Sequence, residues 1–111
     1  MIEARIEQAL TDGIRKEGGW CIKLVSPGNA GVPDRLVLLP GGKVIFVELK
    51  TDTGRPSMLQ RYVIKRLMKL GMDVRILYGI KAVRAFLQEV SIDAVQAIPV
   101  SGSSGAVDPG A

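Results

Sequence analysis

The chain has 111 residues, enough for one domain with a single core and too few for two. Hydrophobic residues make up 47% of it and charged residues 23%, near the values of an ordinary globular domain, so the composition suggests neither a disordered nor a fibrous protein. One cysteine and no histidine exclude internal disulfides, multi-cysteine zinc sites and histidine-dependent hydrolytic triads. Any chemistry must therefore use carboxylates, lysine, hydroxyls or a hard metal ion, and oxygen ligands favour Mg²⁺ or Mn²⁺.

The charge is unevenly distributed along the chain. Fifteen basic and 11 acidic residues give a net charge of +4, but the sequence from Val90 onward contains two acidic residues and no Lys or Arg. The first 89 residues are therefore strongly basic, which favours a polyanionic partner. The apolar runs are too short to span a membrane and the first residues show no signal-peptide pattern, so we expect a cytoplasmic protein without a membrane partner.

The predicted elements begin with a helix and a strand. Apolar residues recur at helical spacing over residues 2–17 and predict an amphipathic helix, which Gly18 and Gly19 end. Residues 20–25 alternate in polarity and predict a strand. Residues 26–31 are mostly turn formers and predict a loop.

Two apolar strands joined by a tight turn follow. Residues 36–39 and 44–49 are apolar enough to predict central strands covered by helices on both faces, and Pro40-Gly41-Gly42 predicts the turn between them. The period of two places four residues of the second strand on one face. They are Val44, Phe46, Glu48 and Lys50.

The second half of the chain predicts a helix, a strand and a last helix. Ser57 and Gln60 have the spacing of a capping box at the start of a helix whose apolar stripe is expected to face inward. That stripe comprises Leu59, Val63, Leu67 and Leu70. A strand over 73–78 and a helix over 80–90 complete an α/β fold of order α-β-β-β-α-β-α, with a mixed central sheet flanked by helices. We expect one domain over 1–90 and a disordered C-terminal extension over 91–111.

Three charged residues are expected to meet at one end of the hairpin. Asp34 stands just before the first apolar strand, and Glu48 and Lys50 end the second, so antiparallel pairing brings them together. The simplest interpretation is an ion pair at a strand edge. However, removing the two charges of such a pair from water on an apolar strand costs on the order of several kcal/mol per ion. A divalent cation between the carboxylates would offset that cost, as in metal-dependent phosphodiester chemistry.

Three ordered segments resemble a known family of enzymes. GVPDR at 31–35, VELK at 47–50 and the G-x-x-S-x-x-Q pattern at 54–60 resemble the PD-(D/E)xK nucleases, and more closely the virus-type replication-repair nuclease (VRR-Nuc) branch in its standalone phage or bacterial form. The likeness extends over most of positions 1 to 88. It implies a restriction-endonuclease-like core and a Mg²⁺ or Mn²⁺ cofactor in the cytoplasm of a bacterium or phage-infected host.

The resemblance also implies roles for individual residues. The implied catalytic residues are Asp34, Glu48, Lys50 and Gln60, with Lys50 positioning or activating the attacking water. The implied metal ligands are Glu3, Asp34, Glu48 and Leu49. Glu7 is the alternative to Glu3 on the first helix, one turn further along. For Gln60 a purely structural role remains equally open, because a capping-box residue bonds back to the Ser57 N–H.

Six basic residues are candidate nucleic-acid contacts. They are Lys23, Arg35, Arg55, Arg61, Lys65 and Lys69. The last three are spaced four apart and share one helical face in a segment without acidic residues, which favours tracking of phosphates. Aromatic residues are few, so recognition of backbone and shape is favoured over stacking on bases.

The expected function is that of a metal-dependent, structure-selective DNA endonuclease, with four-way (Holliday) junctions as a candidate substrate and a role in DNA repair. The family likeness further implies a homodimer, because symmetric cutting of a branched DNA needs two sites. One alternative is a non-catalytic nucleic-acid-binding module on the same fold. Another is a sequence-specific restriction-type nuclease.

Overall fold

The structure, a computed structural model, describes residues 2–96, and their side chains over residues 3–91. The elements are α1 (Ile2–Lys16), β1 (Trp20–Lys23), β2 (Arg35–Leu39), β3 (Lys43–Lys50), α2 (Met58–Lys69), β4 (Asp73–Tyr78) and α3 (Gly79–Gln96). The predicted order α-β-β-β-α-β-α and the α/β class are confirmed. Over the described residues 2–96, no helix is long and apolar enough to cross a bilayer.

The four strands form one mixed sheet in the order β1-β2-β3-β4. β2 pairs antiparallel with both β1 and β3, and β4 pairs parallel with β3, as the helical crossover predicts. Gly41 and Gly42 adopt left-handed φ values of 89° and 81° in the turn between β2 and β3, a region that glycine enters without strain. Because Arg35 lies opposite Val47, the preceding residue Asp34 comes to the level of Glu48.

One face of the sheet carries the hydrophobic core. α1 contributes Ile6, Leu10 and Ile14, each at most 2% exposed, and α3 contributes Val83, Phe86 and Val90. These side chains pack on a row of sheet residues that share one face by the period of two. The row includes Val37, Leu39, Ile45, Val47 and Leu77. The two helices therefore hold this face closed and fix the positions of β2 and β3.

The opposite face is only partly covered, so the prediction that both apolar strands are buried on both sides is wrong. α2 contacts β4 at the edge of the sheet and leaves much of the surface of the other strands open. Trp20 is 66% exposed and Val44 is 42% exposed. The buried residue of α2 is Ile64, whereas Leu59 and Leu70 of the predicted inward stripe are exposed. Val63 and Leu67 of that stripe are half-buried, and the loop before β2 approaches it at Gly31.

The last helix is longer than its sequence pattern indicated. α3 starts at Gly79 and continues to Gln96, six residues beyond the predicted end at Val90. The predicted domain boundary at residue 90 therefore falls inside this helix. The remainder of the predicted C-terminal extension, residues 97–111, lies outside the described residues.

Candidate active site

Glu48 is the centre of a network that joins three parts of the chain. It ends the apolar part of β3, and it is only 4% exposed. Its Oε1 accepts a hydrogen bond from the Asp34 backbone N–H at 3.3 Å. Its Oε2 accepts one from Gln60 Nε2 at 3.0 Å and lies 3.4 Å from Lys50 Nζ. The carboxylate is therefore oriented by the residue before β2, by β3 and by α2 together.

Asp34 contributes a second carboxylate that is short of positive partners. It follows the buried Pro33, and its Oδ1 is buried without a hydrogen-bond partner among the described residues. Burial raises the pKa of Asp34, and the neighbouring Arg35 guanidinium opposes that rise. Burial and the Asp34 carboxylate raise the pKa of Glu48, against the lowering effect of Lys50. Burial and mutual repulsion disfavour the charged forms of both carboxylates, and a cation bound between them would favour those forms.

The side chain of Gln60 makes both of the contacts that its sequence position left open. Its Oε1 accepts from the Ser57 N–H at 2.8 Å, and the Ser57 Oγ accepts from the Gln60 N–H at 3.1 Å, which completes the predicted capping box. Its Nε2 donates to Glu48. The start of α2 is thus bonded directly to the site, and the orientation of the Gln60 amide is fixed from both ends.

These groups open into a cleft of about 380 Å³. Its walls include Glu3, Glu7, Asp34, Glu48, Leu49 and Arg55, together with Lys50. No group of three or more acidic residues close enough to share a metal ion forms among the described side chains. Glu3 lines the cleft but does not form such a group with Asp34 and Glu48. The hard oxygens of Asp34 and Glu48, one of them unpartnered, still fit a divalent cation.

Glu7 and Arg35 form an ion pair that sequence analysis missed. Arg35 Nη2 lies 2.9 Å from Glu7 Oε1, and the arginine side chain is only 6% exposed. Arg35 points toward α1 and the core, so its position does not support the predicted contact with nucleic acid. Because Glu7 is engaged by this buried cation, Glu3 is the freer of the two acidic residues on α1.

The other predicted nucleic-acid contacts lie on the surface. Lys23 is exposed at the end of β1, and Arg61, Lys65 and Lys69 are exposed along α2. At about 1.5 Å per residue, that row on α2 is roughly 12 Å long and starts one residue after Gln60. Arg55 differs from them because it stands in the wall of the cleft.

The fold and the site together define a class of protein. A small mixed sheet that gathers Asp34, Glu48 and Lys50 at one end, with helices packed on it, has the architecture of a PD-(D/E)xK nuclease domain. The family described as the VRR-NUC domain matches residues 3–81. This chain belongs to the VRR-NUC family of nuclease domains.

Individual relatives agree with this assignment. The chain is 49% identical over 75 residues to p44, a protein named as a candidate nuclease in Acyrthosiphon pisum secondary endosymbiont phage 1, across 68% of this chain and 81% of that protein. A solved structure described as a VRR_NUC domain superposes with a TM-score of 0.75 at 30% identity, covering 79% of this chain and 96% of that one. A second, described as a VRR_NUC domain protein, has a TM-score of 0.63 at 16% identity over 80% of this chain and 87% of its own, and shares the fold.

Proposed function

We propose that this nuclease is a divalent-metal-dependent endonuclease that hydrolyses DNA phosphodiester bonds and selects its substrate by structure. The observation that carries the proposal is the pairing of Asp34 with Glu48 beside Lys50 in one cleft. The Oδ1 atom of Asp34 is buried and has no hydrogen-bond partner among the described residues. A buried carboxylate oxygen with no donor is costly unless a cation binds it.

The residues of the cleft divide the chemistry among them. Asp34 and Glu48 would hold a Mg²⁺ or Mn²⁺ ion, which when bound would act as a Lewis acid and lower the pKa of water. The water oxygen forms a bond to phosphorus while one ester P–O bond breaks, and a proton from the water ends on the departing oxygen. Lys50 Nζ, held 3.4 Å from Glu48, contacts the water and the phosphate and stabilises the negative charge that develops there. Gln60 keeps Glu48 oriented throughout.

Selection by DNA structure is supported by the kind of surface around the cleft. Lysine and arginine side chains on α2 contact phosphates and carry no base information by themselves. Their row extends away from the site along a single helix. A DNA whose strands diverge near the cleft, such as a flap, fork or four-way junction, can place one strand in the cleft and another along α2.

We also propose a homodimer. The described residues contain one Asp34–Glu48 site, and symmetric incision of a branched DNA needs two. The partly uncovered sheet face, with Trp20 and Val44 exposed, provides apolar surface for association. Sedimentation is expected to show a dimer at micromolar concentration. A monomer with full cleavage activity would contradict the proposed homodimer.

The test compares wild type with Lys50→Ala and Glu48→Ala on linear duplex, flap, fork and four-way junction DNA of random sequence, with and without Mn²⁺. We expect wild type to cut the branched substrates only with metal. Both variants should lose cleavage and keep binding. Arg84→Ala, an exposed basic residue on α3 away from the cleft, serves as the charge control. Wild type that binds these DNAs without cutting any would indicate a non-catalytic module, and cutting at one sequence only would indicate a restriction-type enzyme.

A further inference from the structure

Of the six basic residues predicted to contact nucleic acid, Arg55 is the one that lines the cleft. It lines the same walls as Asp34, Glu48 and Lys50, in the loop between β3 and α2. Its Nη1 donates to the Gly54 carbonyl at 2.7 Å. The next residue, Pro56, is buried, and a residue before proline is restricted to extended backbone. The loop therefore restricts the Arg55 backbone and provides one hydrogen bond to the guanidinium.

Tyr78 holds the guanidinium from the sheet. The Arg55 Cζ atom lies 5.9 Å from the centroid of the Tyr78 ring, within the range of a cation–π contact. Tyr78 is the last residue of β4 and lies opposite Lys50 in the parallel register. Since the carboxyl ends of parallel strands meet at one edge of a sheet, Tyr78 and Lys50 are neighbours at that edge.

The charges of the cleft explain why a second fixed cation matters. Asp34 and Glu48 make the interior anionic, which opposes the entry of a phosphate diester. Lys50 is already paired with Glu48, so its charge is shared with the carboxylate. Among the described residues, the Arg55 guanidinium contacts the Gly54 carbonyl and the Tyr78 ring, and neither contact is a carboxylate. A planar guanidinium can bind two oxygens of one phosphate at once, which an ammonium cannot.

We propose that Arg55 is a catalytic residue that contacts the non-bridging oxygens of the scissile phosphate, and that Tyr78 is its positioning residue. This inference rests on the proposed function. A cation that is fixed before the substrate arrives stabilises the charge gained by the phosphate in the transition state more than it stabilises the ground state. Arg55 should therefore affect the rate of the chemical step more than the affinity for DNA, in contrast to the exposed row on α2.

The experiment measures single-turnover cleavage of a branched DNA that wild type cuts in Mn²⁺, and the Kd for the same DNA in EDTA. Arg55→Leu is expected to lower the maximal rate by about 100-fold, the scale of losing one preorganised donor, and to change the Kd by less than about threefold. Arg55→Lys recovers little, because the fork is absent. Arg84→Ala, an exposed basic residue on α3 that does not line the cleft, is the matched control and should change neither the maximal rate nor the Kd.

Tyr78 is tested by its conservative variant and by a double mutant. Tyr78→Leu should lower the maximal rate by about tenfold, within the range of a misplaced catalytic group. Tyr78→Phe, which keeps the ring, should restore it. Arg55→Leu with Tyr78→Leu should be no slower than Arg55→Leu alone, because the ring acts through the arginine. Thermal melting of each variant reports folding, and the exposed Arg55 variants give a result even if Tyr78→Leu is unstable.

The possible results distinguish a failure of the Arg55 assignment from a failure of the proposed function. If wild type cuts and Arg55→Leu cuts at the same maximal rate with a weaker Kd, Arg55 is an ordinary binding residue and the assignment is overturned. If the Arg55 and Tyr78 effects multiply in the double mutant, Tyr78 is not its positioning residue. If wild type cuts no DNA under any of these conditions, both the proposed function and the role assigned to Arg55 are wrong.

Discussion

Substitutions at Ser57 and at Gln60 separate the helix cap from the hydrogen bond between Gln60 and Glu48. Ser57→Ala removes the hydroxyl that caps the Gln60 N–H and leaves the bond from Gln60 to Glu48 in place. Loss of such a cap should lower the free energy of unfolding by about 1 kcal/mol. Gln60→Glu keeps an oxygen for the Ser57 N–H but loses the Nε2 donor to Glu48. It also places a further carboxylate beside Glu48, which keeps its contacts with the Asp34 N–H and Lys50 but loses the one from α2.

The size of the effect follows from the kind of bond that is lost. A hydrogen bond to a charged acceptor contributes about 1.5 to 3 kcal/mol. If that amount is lost from the transition state, the rate falls by roughly 10- to 100-fold, since about 1.4 kcal/mol is a factor of ten. Single-turnover cleavage in Mn²⁺ and denaturant unfolding measure the two quantities separately. We expect Ser57→Ala to be less stable and fully active. Equal cleavage by Ser57→Ala and Gln60→Glu would refute the reasoning, because the bond to Glu48 would then have no part in activity.

Three further predictions concern stability. Gly31 has φ 91°, and a Cβ there would lie 3.0 Å from the Leu59 carbonyl oxygen, so Gly31→Ala should cost about 1 to 3 kcal/mol; Gly28→Ala, with φ 81° and open space, should cost less in the same melting experiment. Burial raises the folded-state pKa of Glu48, so its contribution to stability is present at low pH and is lost as pH rises through that pKa. In EDTA, Glu48→Gln should therefore be more stable than wild type at pH 8 and not at pH 4. Arg75 lowers the pKa of Glu89, so the stability gained from this pair is present above the ordinary carboxyl pKa and is lost as pH falls. In urea unfolding, Glu89→Gln should therefore lose less stability than wild type at acidic pH. An equal loss in the two proteins would contradict the pairing.

Much of the fold was predictable from local signals. The helical spacing of α1, the glycine turn between β2 and β3, and the Ser57–Gln60 capping box each specify structure within a few residues, and all three are confirmed. The meeting of Asp34 with Glu48 was also predictable, because antiparallel pairing across a short turn leaves little choice of register. The role of each residue at the site stays a prediction until it is measured.

The wrong predictions concern how elements pack against one another. An apolar strand or stripe indicates that a surface avoids water, and it does not indicate which element covers it. Thus Leu59 and Leu70 were expected inside and lie exposed, because α2 packs at the edge of the sheet through Ile64. Arg35 was predicted to contact nucleic acid because it stands near the expected site; that contact stays a prediction, and the structure places the side chain on the core face opposite Val47. Its partner Glu7 comes from another element, 28 positions away in the sequence, and no local pattern reveals it.

Titration of Mn²⁺ into the protein without DNA tests the central claim most directly, because it asks whether Asp34 and Glu48 hold a metal ion before any question of substrate arises. Calorimetry or electron paramagnetic resonance should show that wild type binds Mn²⁺. Asp34→Asn should lose most of that binding, and Lys50→Ala should keep it, since removal of the ammonium leaves both carboxylates in place. Equal affinity of wild type and Asp34→Asn for Mn²⁺ would contradict the account.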